Sequence, residues 1–301
     1  MFKKLLLACV CAAVLISAGT GLWVWQGLKG LEKPVEFEEP LLFQVPQGAS
    51  FTEVAGRLED EGLVSDRLWL RLYGRLDPGQ TRIKAGEYEF LDGMSPVDMI
   101  GIMVSGDTKH WYVQFIEGWT FQDMRAALAN AERLQKLTGE WSSEKIMAAV
   151  GAEGEHPEGR FFPDTYAFTS TESDLDLLRR AFSRMESVLA EEWAAREDGL
   201  PYENPYEALI MASIVERETG APEERDQVAG VFVRRLQKGM RLQTDPTVIY
   251  GMGDSYQGRI GRKDLRTYTP YNTYRINGLP PTPIALPVSY THLTLPTILR
   301  V

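Results

Sequence analysis

Cysteine and histidine are scarce in this 301-residue chain. The two cysteines, Cys9 and Cys11, both lie in an apolar run near the N-terminus, so the rest of the chain offers neither a disulfide framework nor a thiol nucleophile. The three histidines are His110, His156 and His292. They are too far apart for a zinc-ligand motif, and a Ser–His–Asp triad would have to use one of them in isolation. We therefore expect no metal site.

Basic charge is in deficit as well. The formal net charge is −10, and the sequence shows no local basic stripe, so neither nucleic acid nor anionic lipid is expected as a general partner. A G-x-S-x-G elbow, a Walker loop and a Rossmann glycine pattern are all missing from the sequence. Serine-hydrolase and nucleotide-dependent chemistry are therefore not expected, and no cofactor is predicted.

The chain does have one long uncharged run, from Leu5 to Leu28. It holds roughly two dozen residues, against the roughly 20 that a helix needs to cross the hydrocarbon core. Lys3 and Lys4 precede it, and basic flanks tend to stay in the cytoplasm. We predict that residues 1–29 form a cytoplasmic tip and a single transmembrane anchor, with the remaining chain on the outer side.

Two tryptophans, Trp23 and Trp25, stand near the far end of this run, where aromatic side chains favour the membrane interface. The alternative is a signal peptide cleaved near Ser17–Gly19. Because the apolar run continues past that point, the uncleaved anchor is the favoured interpretation.

The segment after the anchor divides into a linker and a small unit. Residues 30–40 are charged and flanked by proline, which is typical of a linker. Residues 41–110 predict the order strand, helix, helix, strand, with serine caps at Ser50 and Ser95. The second helix is expected to be amphipathic through Leu68, Leu72 and Leu76. This order, together with "VPQGASF", resembles a LysM-type glycan-binding module; a small α+β packing unit is the alternative.

Residues 111–287 predict a larger mixed α+β domain, so the fold class expected for the chain is α+β. Helices are expected over 134–152 and 174–196, and over the run "YEALIMASIVERET". Two segments rich in proline, glycine and polar or aromatic residues, 240–253 and 269–287, are predicted to form rigid loops. Such loops suit a sugar-binding cleft.

Carboxylate chemistry is what remains, and its best position is the stretch "ASIVERETG", which contains Glu216 and Glu218. On a helix the two side chains point about 200° apart, so they cannot share one face. The helix is apolar nearly all round and is expected to be buried, which makes both glutamates costly unless they are paired or functional. A partly desolvated carboxyl at its end can stay protonated as a general acid. Pairing of Glu216 with Arg225 is the purely structural alternative.

Four motifs, "PEGRFFPDTYAF", "ASIVERET", "VFVRRLQKGMRLQTDPTVIYGMG" and "TPYNTYRINGLPPTPIALP", resemble the YceG-like endolytic murein transglycosylases. The resemblance implies a bacterial inner-membrane protein with one membrane helix, a LysM-like subdomain and a lytic transglycosylase catalytic domain. Its substrate is then peptidoglycan glycan strands, cleaved between N-acetylmuramic acid and N-acetylglucosamine to leave 1,6-anhydro ends. Glycan synthases and penicillin-binding proteins are the implied protein partners.

The resemblance also implies site residues. Lytic transglycosylases place the catalytic glutamate at a helix end before Ser or Thr, which Glu218-Thr219 satisfies and Glu216-Arg217 does not. Glu218 is therefore expected to be the acid and base, with Glu216 as an orienting or structural partner. The residues expected to line the cleft are Gln243, Thr244, Asp245, Asn272, Thr273 and Tyr274, with Glu158 and Asp164 added from the "PEGRFFPDTY" loop.

The chain departs from the family pattern after Pro287, where residues 288–301 read "VSYTHLTLPTILRV". This tail looks foreign, which predicts a truncated catalytic domain. Two alternatives to the transglycosylase follow: a membrane-anchored peptidoglycan-binding scaffold without activity, and a hydrolase that uses Asp245 as a second carboxylate.

Overall fold

The computed structural model describes residues 2–288, so residues 289–301, nearly all of the predicted tail, lie outside the described part of the chain. Contacts divide the chain into two compact units at the boundary between His110 and Trp111. Within the described residues, one helix is long and apolar enough to cross a membrane. The part of this helix that is long and apolar enough is Val10–Gly30, with a mean hydropathy of 1.4.

The first unit contains the predicted strand, helix, helix, strand order followed by a further helix. Strands β1 and β2 pair antiparallel, with Leu41 opposite Phe90 and Val45 opposite Gly86. The elements are α1 (Phe2–Gly30), β1 (Leu41–Val45), α2 (Phe51–Asp60), α3 (Arg67–Leu76), β2 (Gly86–Phe90) and α4 (Pro96–Ser105), with a 3-10 turn at Pro78–Thr81. This order agrees with the prediction, and the LysM-like identity of the unit stays a prediction.

Helix starts in this unit follow the predicted caps. The Ser50 hydroxyl accepts the backbone N–H of Glu53, and Ser95 forms a full capping box with Asp98. The first part of the predicted linker, residues 30–40, packs on the unit. Leu31 is buried, and the backbone of Val35 exchanges hydrogen bonds with Gly93 and Met94.

The predicted apolar face of α3 is wrong. Trp69 and Leu70 are the side chains that enter the core, whereas Leu68 and Leu76 are exposed and Leu72 is only half-buried. The leucine spacing identified a real row of side chains, but the larger Trp69 gains more from burial and takes the inward position.

The second unit is mainly helical around a two-stranded antiparallel sheet in which Trp111 pairs with Phe168 and Gln114 with Thr165. Its elements are β3 (Trp111–Gln114), α5 (Phe121–Asn130), α6 (Ser143–Val150), β4 (Thr165–Phe168), α7 (Asp174–Ala195), α8 (Pro205–Glu218), α9 (Arg225–Gln237), α10 (Asp245–Met252) and α11 (Arg262–Arg266), with 3-10 turns at Pro222–Glu224 and Gly253–Ser255. The described residues thus form a mixed α+β structure, as predicted.

Two element predictions in this unit are corrected. The helix expected over 134–152 is confined to Ser143–Val150, because the buried carboxylate of Asp174 accepts the backbone N–H groups of Leu137 and Thr138 and holds that segment as a loop. Residues 245–252 form helix α10 rather than a loop. Pro246 stands in its first turn, where proline is well tolerated.

The four motifs of the sequence pack against one another. The backbone N–H of Gly118 donates to the carbonyl of Leu286, and the N–H of Leu286 donates back to Trp119, both at 2.8 Å. The N–H of Ile284 donates to the buried Ser213 hydroxyl of α8 at 3.0 Å. The "TPIALP" segment therefore lies between the β3–α5 connection and α8.

Candidate active site

Glu218 is the last residue of α8, and its side chain is exposed although residues 209–216 of the same helix are buried. Its Oε2 atom accepts a hydrogen bond of 2.6 Å from the Thr244 hydroxyl. Glu218 is thus more accessible than the buried part of its helix. Glu218 therefore lies at the exposed end of α8, where its side chain is accessible and is held by the Thr244 hydroxyl.

Thr244 is fixed by a small network of buried threonines. Its backbone N–H donates to the Thr273 hydroxyl at 3.1 Å, and the Thr247 hydroxyl donates to the Thr244 carbonyl at 2.8 Å. The hydroxyls of Thr247 and Thr273 lie 2.8 Å apart. Because each hydroxyl both donates and accepts, this network sets the position of the group that binds Glu218.

Gln243, directly before Thr244, has a φ of 55°, the one left-handed non-glycine conformation in the part of the chain that the structure describes. Such a conformation costs free energy and persists where the surroundings impose it. The Gln243 N–H donates to the Thr273 carbonyl at 3.3 Å, which ties the turn to the same network. The Gln243 side chain is exposed.

Asp245 and Tyr274 form a hydrogen-bonded pair close to Glu218. The Tyr274 hydroxyl donates to Oδ1 of Asp245 at 2.8 Å. Burial, this hydrogen bond and the negative charges of Asp245 and Glu218 raise the pKa of Tyr274 to about 12. The phenol therefore keeps its proton near neutral pH and remains a hydrogen-bond donor close to Glu218.

Glu216 has the opposite environment from Glu218. It forms an ion pair of 3.0 Å with Arg225, and both side chains are only 3% exposed. The guanidinium of Arg217, the next residue in sequence, donates to the Gly118 carbonyl at 3.0 Å. Glu216 thus links α8 to the start of α9, the structural alternative that the sequence left open.

Glu158 is buried, and both of its carboxylate oxygens accept hydrogen bonds from the protein. Its Oε1 atom accepts the backbone N–H of Phe121 at 2.9 Å, and its Oε2 atom accepts the Tyr250 hydroxyl at 3.0 Å. Burial raises the pKa of Glu158 to about 7, while the hydrogen bonds from Phe121, Tyr250 and Gly159 oppose that shift. Burial also lowers the pKa of His156, whose Nδ1 accepts the Glu158 backbone N–H.

A cavity of about 640 Å³ lies next to these residues. Neither Glu218 nor Asp245 lines it, but their chain neighbours Arg217 and Pro246 do. The other lining residues with polar or aromatic side chains are Thr120, Phe121, Gln122, Asp123, Ser143, His156, Glu158, Tyr250, Asp254, Tyr256 and Tyr271. Ring faces alternating with hydroxyl, amide and carboxylate groups are suited to a carbohydrate.

Three residues predicted to line the cleft occupy other positions. Asn272 is buried, and its side-chain amide donates to the carbonyls of Asp264, Leu265 and Thr267, so it organises the loop after α11. Thr273 is also buried and supports Thr244 from behind. Asp164 is exposed at the start of β4, where it accepts the N–H of Thr165, and it does not line the cavity.

Several residues at the site were not predicted: Thr247, Tyr250, Tyr271 and Arg217. The signal for Tyr250 was present, because Pro246, Tyr250 and Gly253 recur at i, i+4 and i+7, and all three line the cavity. That signal is visible only once the segment is taken as a helix. Tyr250 packs edge-on against Tyr271 with ring centres 4.8 Å apart.

Comparison with known proteins agrees with the four motifs. A protein of Bacillus subtilis named endolytic murein transglycosylase is 29% identical over 85% of this chain and 76% of its own length. A Streptococcus pneumoniae protein of the same name is 26% identical over 81% of this chain, and the match covers 49% of that longer protein.

A solved structure and a family model both relate this chain to YceG-like proteins. A YceG-like protein of Listeria monocytogenes with a known crystal structure is 26% identical to this chain in sequence. The two structures superimpose with a TM-score of 0.51, and the match covers 86% of this chain and 90% of the Listeria chain. The model of the YceG-like family matches residues 43–291, which is most of the chain. This chain therefore belongs to the YceG-like family.

Proposed function

We propose that this chain is an endolytic lytic transglycosylase that cleaves the β-1,4 bond between N-acetylmuramic acid and N-acetylglucosamine within peptidoglycan strands, with Glu218 as its catalytic residue. The proposal is supported by the name of its curated relatives, endolytic murein transglycosylase. The observation that carries the residue assignment is the accessible Glu218 carboxyl at the end of α8, held at 2.6 Å by Thr244.

One carboxyl group is sufficient for this reaction. Protonated Glu218 donates its proton to the glycosidic oxygen as the bond from that oxygen to C1 of the muramyl residue breaks. The muramyl 6-hydroxyl then attacks C1, and the Glu218 carboxylate takes the hydroxyl proton. The product is a 1,6-anhydro end, the acid is regenerated, and no water is consumed.

The geometry around Glu218 suits that role. The Thr244 hydroxyl holds Oε2, while Oε1 has no hydrogen-bond partner among residues 2–288 and is free to face a substrate oxygen. The phenol of Tyr274 lies close enough to feel the Glu218 charge, and the exposed amide of Gln243 belongs to the residue directly before Thr244; both groups hydrogen-bond readily to sugar hydroxyls. We assign the neighbouring cavity to a sugar residue of the bound strand, with Tyr256 and Tyr271 as ring platforms.

We also propose that α1 is a single-pass anchor in the bacterial inner membrane, with the N-terminus cytoplasmic and residues 41–110 and 111–287 outside as a LysM-like module and the catalytic domain. The support is one helix of sufficient length and apolar character near the N-terminus, preceded by Lys3 and Lys4. Glycan synthases and penicillin-binding proteins remain the proposed partners at that membrane.

The test is product chemistry on the full chain in detergent with purified peptidoglycan. Mass spectrometry should find anhydromuropeptides with the unaltered chain and none with Glu218→Gln, while Glu223→Gln, an exposed carboxylate just beyond the same helix, should retain activity. Full activity in Glu218→Gln would refute the residue assignment. Reducing ends in place of anhydro ends would indicate a hydrolase using Asp245, and glycan binding with neither product would indicate a scaffold.

A further inference from the structure

Helix α3 has three faces instead of the usual two. Counting 100° per residue, its core-facing side chains span one arc, its arginines a second and its leucines a third. The core arc contains Trp69, Leu70, Tyr73 and Gly74; the arginine row is Arg67, Arg71 and Arg75; and the leucine row is Leu68, Leu72 and Leu76. Sequence inspection missed the arginine row, which is a local basic stripe on a chain with a net charge of −10.

The leucine row faces away from the core. Leu68 is 43% exposed and Leu76 is 67% exposed. Between residues 31 and 110, the only other large apolar side chain with comparable exposure is Leu91. An exposed apolar row bordered by cations has the composition of an interaction surface.

The leucine row stands beside the point where α3 meets the membrane helix. Trp69, next to Leu76 on the helix circumference, packs edge-on against Trp23 of α1 with ring centres 4.7 Å apart. Gly27 allows this approach, since a Cβ atom there would lie 2.4 Å from the Trp69 ring. Leu31, just past α1, belongs to the same buried cluster as Trp69. Helix α1 therefore continues into the first unit without a flexible joint.

This contact sets the level of Trp69 along α1. A helix needs roughly 20 residues to cross the hydrocarbon core, and the exposed Trp23 and Trp25 stand near the end of the apolar run, where aromatic rings favour the interface. Trp69 lies at the level of Trp23. The leucine row occupies the face of α3 next to Trp69, so with α3 lying along the membrane surface it faces the level where acyl chains give way to headgroups, with the arginine row beside it.

We propose that α3 lies in the interface of the membrane that α1 enters, with Leu68, Leu72 and Leu76 at the acyl-chain boundary and Arg71 and Arg75 at anionic phosphates. Helix α3 contains no acidic residue, and guanidinium groups bind phosphates in a bidentate manner. Arg67 is already engaged with Glu59 at 3.4 Å, which leaves the other two arginines for lipid. This inference rests on the proposed membrane anchor and is independent of the proposed enzyme activity.

A second copy of the chain fits this surface less well. Stable protein interfaces bury about 800 Å² on each partner around an apolar centre. A row of three leucines bordered by like-charged arginines offers a much narrower strip and would place cations against cations. The phospholipid surface satisfies both features, because it is apolar below and anionic above.

The test uses the full chain with Cys9→Ser and Cys11→Ser, reconstituted into vesicles of phosphatidylcholine and phosphatidylglycerol. A polarity-sensitive fluorophore is attached to Leu76→Cys or to the control Thr52→Cys, an exposed site on α2. Spin labels on the lipid acyl chains should quench the label at position 76 several-fold more than the label at 52. Aqueous iodide should show the reverse order. Circular dichroism checks that both labelled chains are folded.

The possible failures are distinguishable. If the chain does not float with the vesicles, the anchor itself is wrong and the inference falls with it. If it floats but iodide reaches position 76 as easily as 52, only the inference is overturned. A label at 76 shielded from both quenchers, together with cross-linking between copies, would assign the surface to a second chain. Arg71→Gln with Arg75→Gln should reduce acyl-chain quenching in anionic vesicles only, and an equal effect in neutral vesicles would overturn the assigned role of the arginines.

Discussion

Replacing Glu158 by glutamine should change how the stability of the second unit depends on pH. Glu158 is 4% exposed, and its pKa is about 7 in the folded chain against 4.5 for an ordinary glutamate. A carboxyl whose folded pKa is raised is easier to ionise after unfolding. The folded chain therefore loses stability as pH rises from about 4.5, and the loss is complete above about pH 7.

The size of the effect follows from the shift. Each pKa unit corresponds to about 1.4 kcal/mol, so ionisation of Glu158 removes about 3 kcal/mol of folding free energy between pH 4 and 8. The charged groups that face it are consistent with this direction: Asp123 on α5 adds repulsion, and Tyr250 on α10 offers only a hydrogen bond. Glutamine keeps the shape and cannot ionise, so Glu158→Gln should abolish this component.

Urea unfolding of the detergent-solubilised chain at pH 5 and pH 8 tests this prediction. The free-energy difference between Glu158→Gln and the unaltered chain should move by about 2–3 kcal/mol in favour of the variant on going from pH 5 to 8. The matched control is Glu153→Gln, which removes an exposed carboxylate from the same segment and should leave the difference flat. Equal pH dependence in the unaltered chain and Glu158→Gln would refute the reasoning.

Three further predictions concern neighbouring contacts. Glu216→Ala leaves Arg225 buried without this carboxylate and should destabilise the chain by about 3–5 kcal/mol in urea unfolding; a change below about 1 kcal/mol would contradict the buried ion pair. Thr244→Val removes the hydroxyl held by Glu218 and should slow anhydromuropeptide formation about 10- to 100-fold with little change in the thermal midpoint; an unchanged rate would argue against that hydrogen bond. Gly159→Ala should lower the thermal midpoint, because φ is 73° and a Cβ atom would lie 2.4 Å from Pro283; an unchanged midpoint would mean that the two loops can separate.

Local rules predicted the helix starts at Ser50 and Ser95, because a cap is decided by residues within one turn. The Ser50 hydroxyl caps α2, and Ser95 forms a complete capping box with Asp98 at the start of α4. Helix α8 ends at Glu218 as the glycine and proline beyond it indicate. These features needed no knowledge of the tertiary structure.

Failures occurred where a distant residue decides the outcome. The segment before α6 is held open by Asp174, which lies 36 residues beyond Thr138, and no local pattern reveals that contact. Asn272 was expected in the cleft because amides bind sugars, but the backbone carbonyls of Asp264 and Leu265 in α11 and of Thr267 just after it accept its N–H groups. The polarity of a residue predicts that it needs hydrogen bonds, and the fold decides whether protein or ligand supplies them.

Glu216 and Glu218 illustrate how that decision separates structure from catalysis. Both were expected to be costly on a buried helix, and opposed directions left the choice between them to their neighbours. The fold buries Glu216 and pairs its charge with that of Arg225. This ion pair joins α8 to α9, and the buried Glu216 carboxylate is inaccessible to a sugar. Glu218 lies two residues further along α8, past the edge of the core, where one of its carboxylate oxygens accepts a hydrogen bond from Thr244. A proton donor must reach solvent-delivered substrate and keep an oxygen available, and on this helix only the position after the core ends meets both requirements.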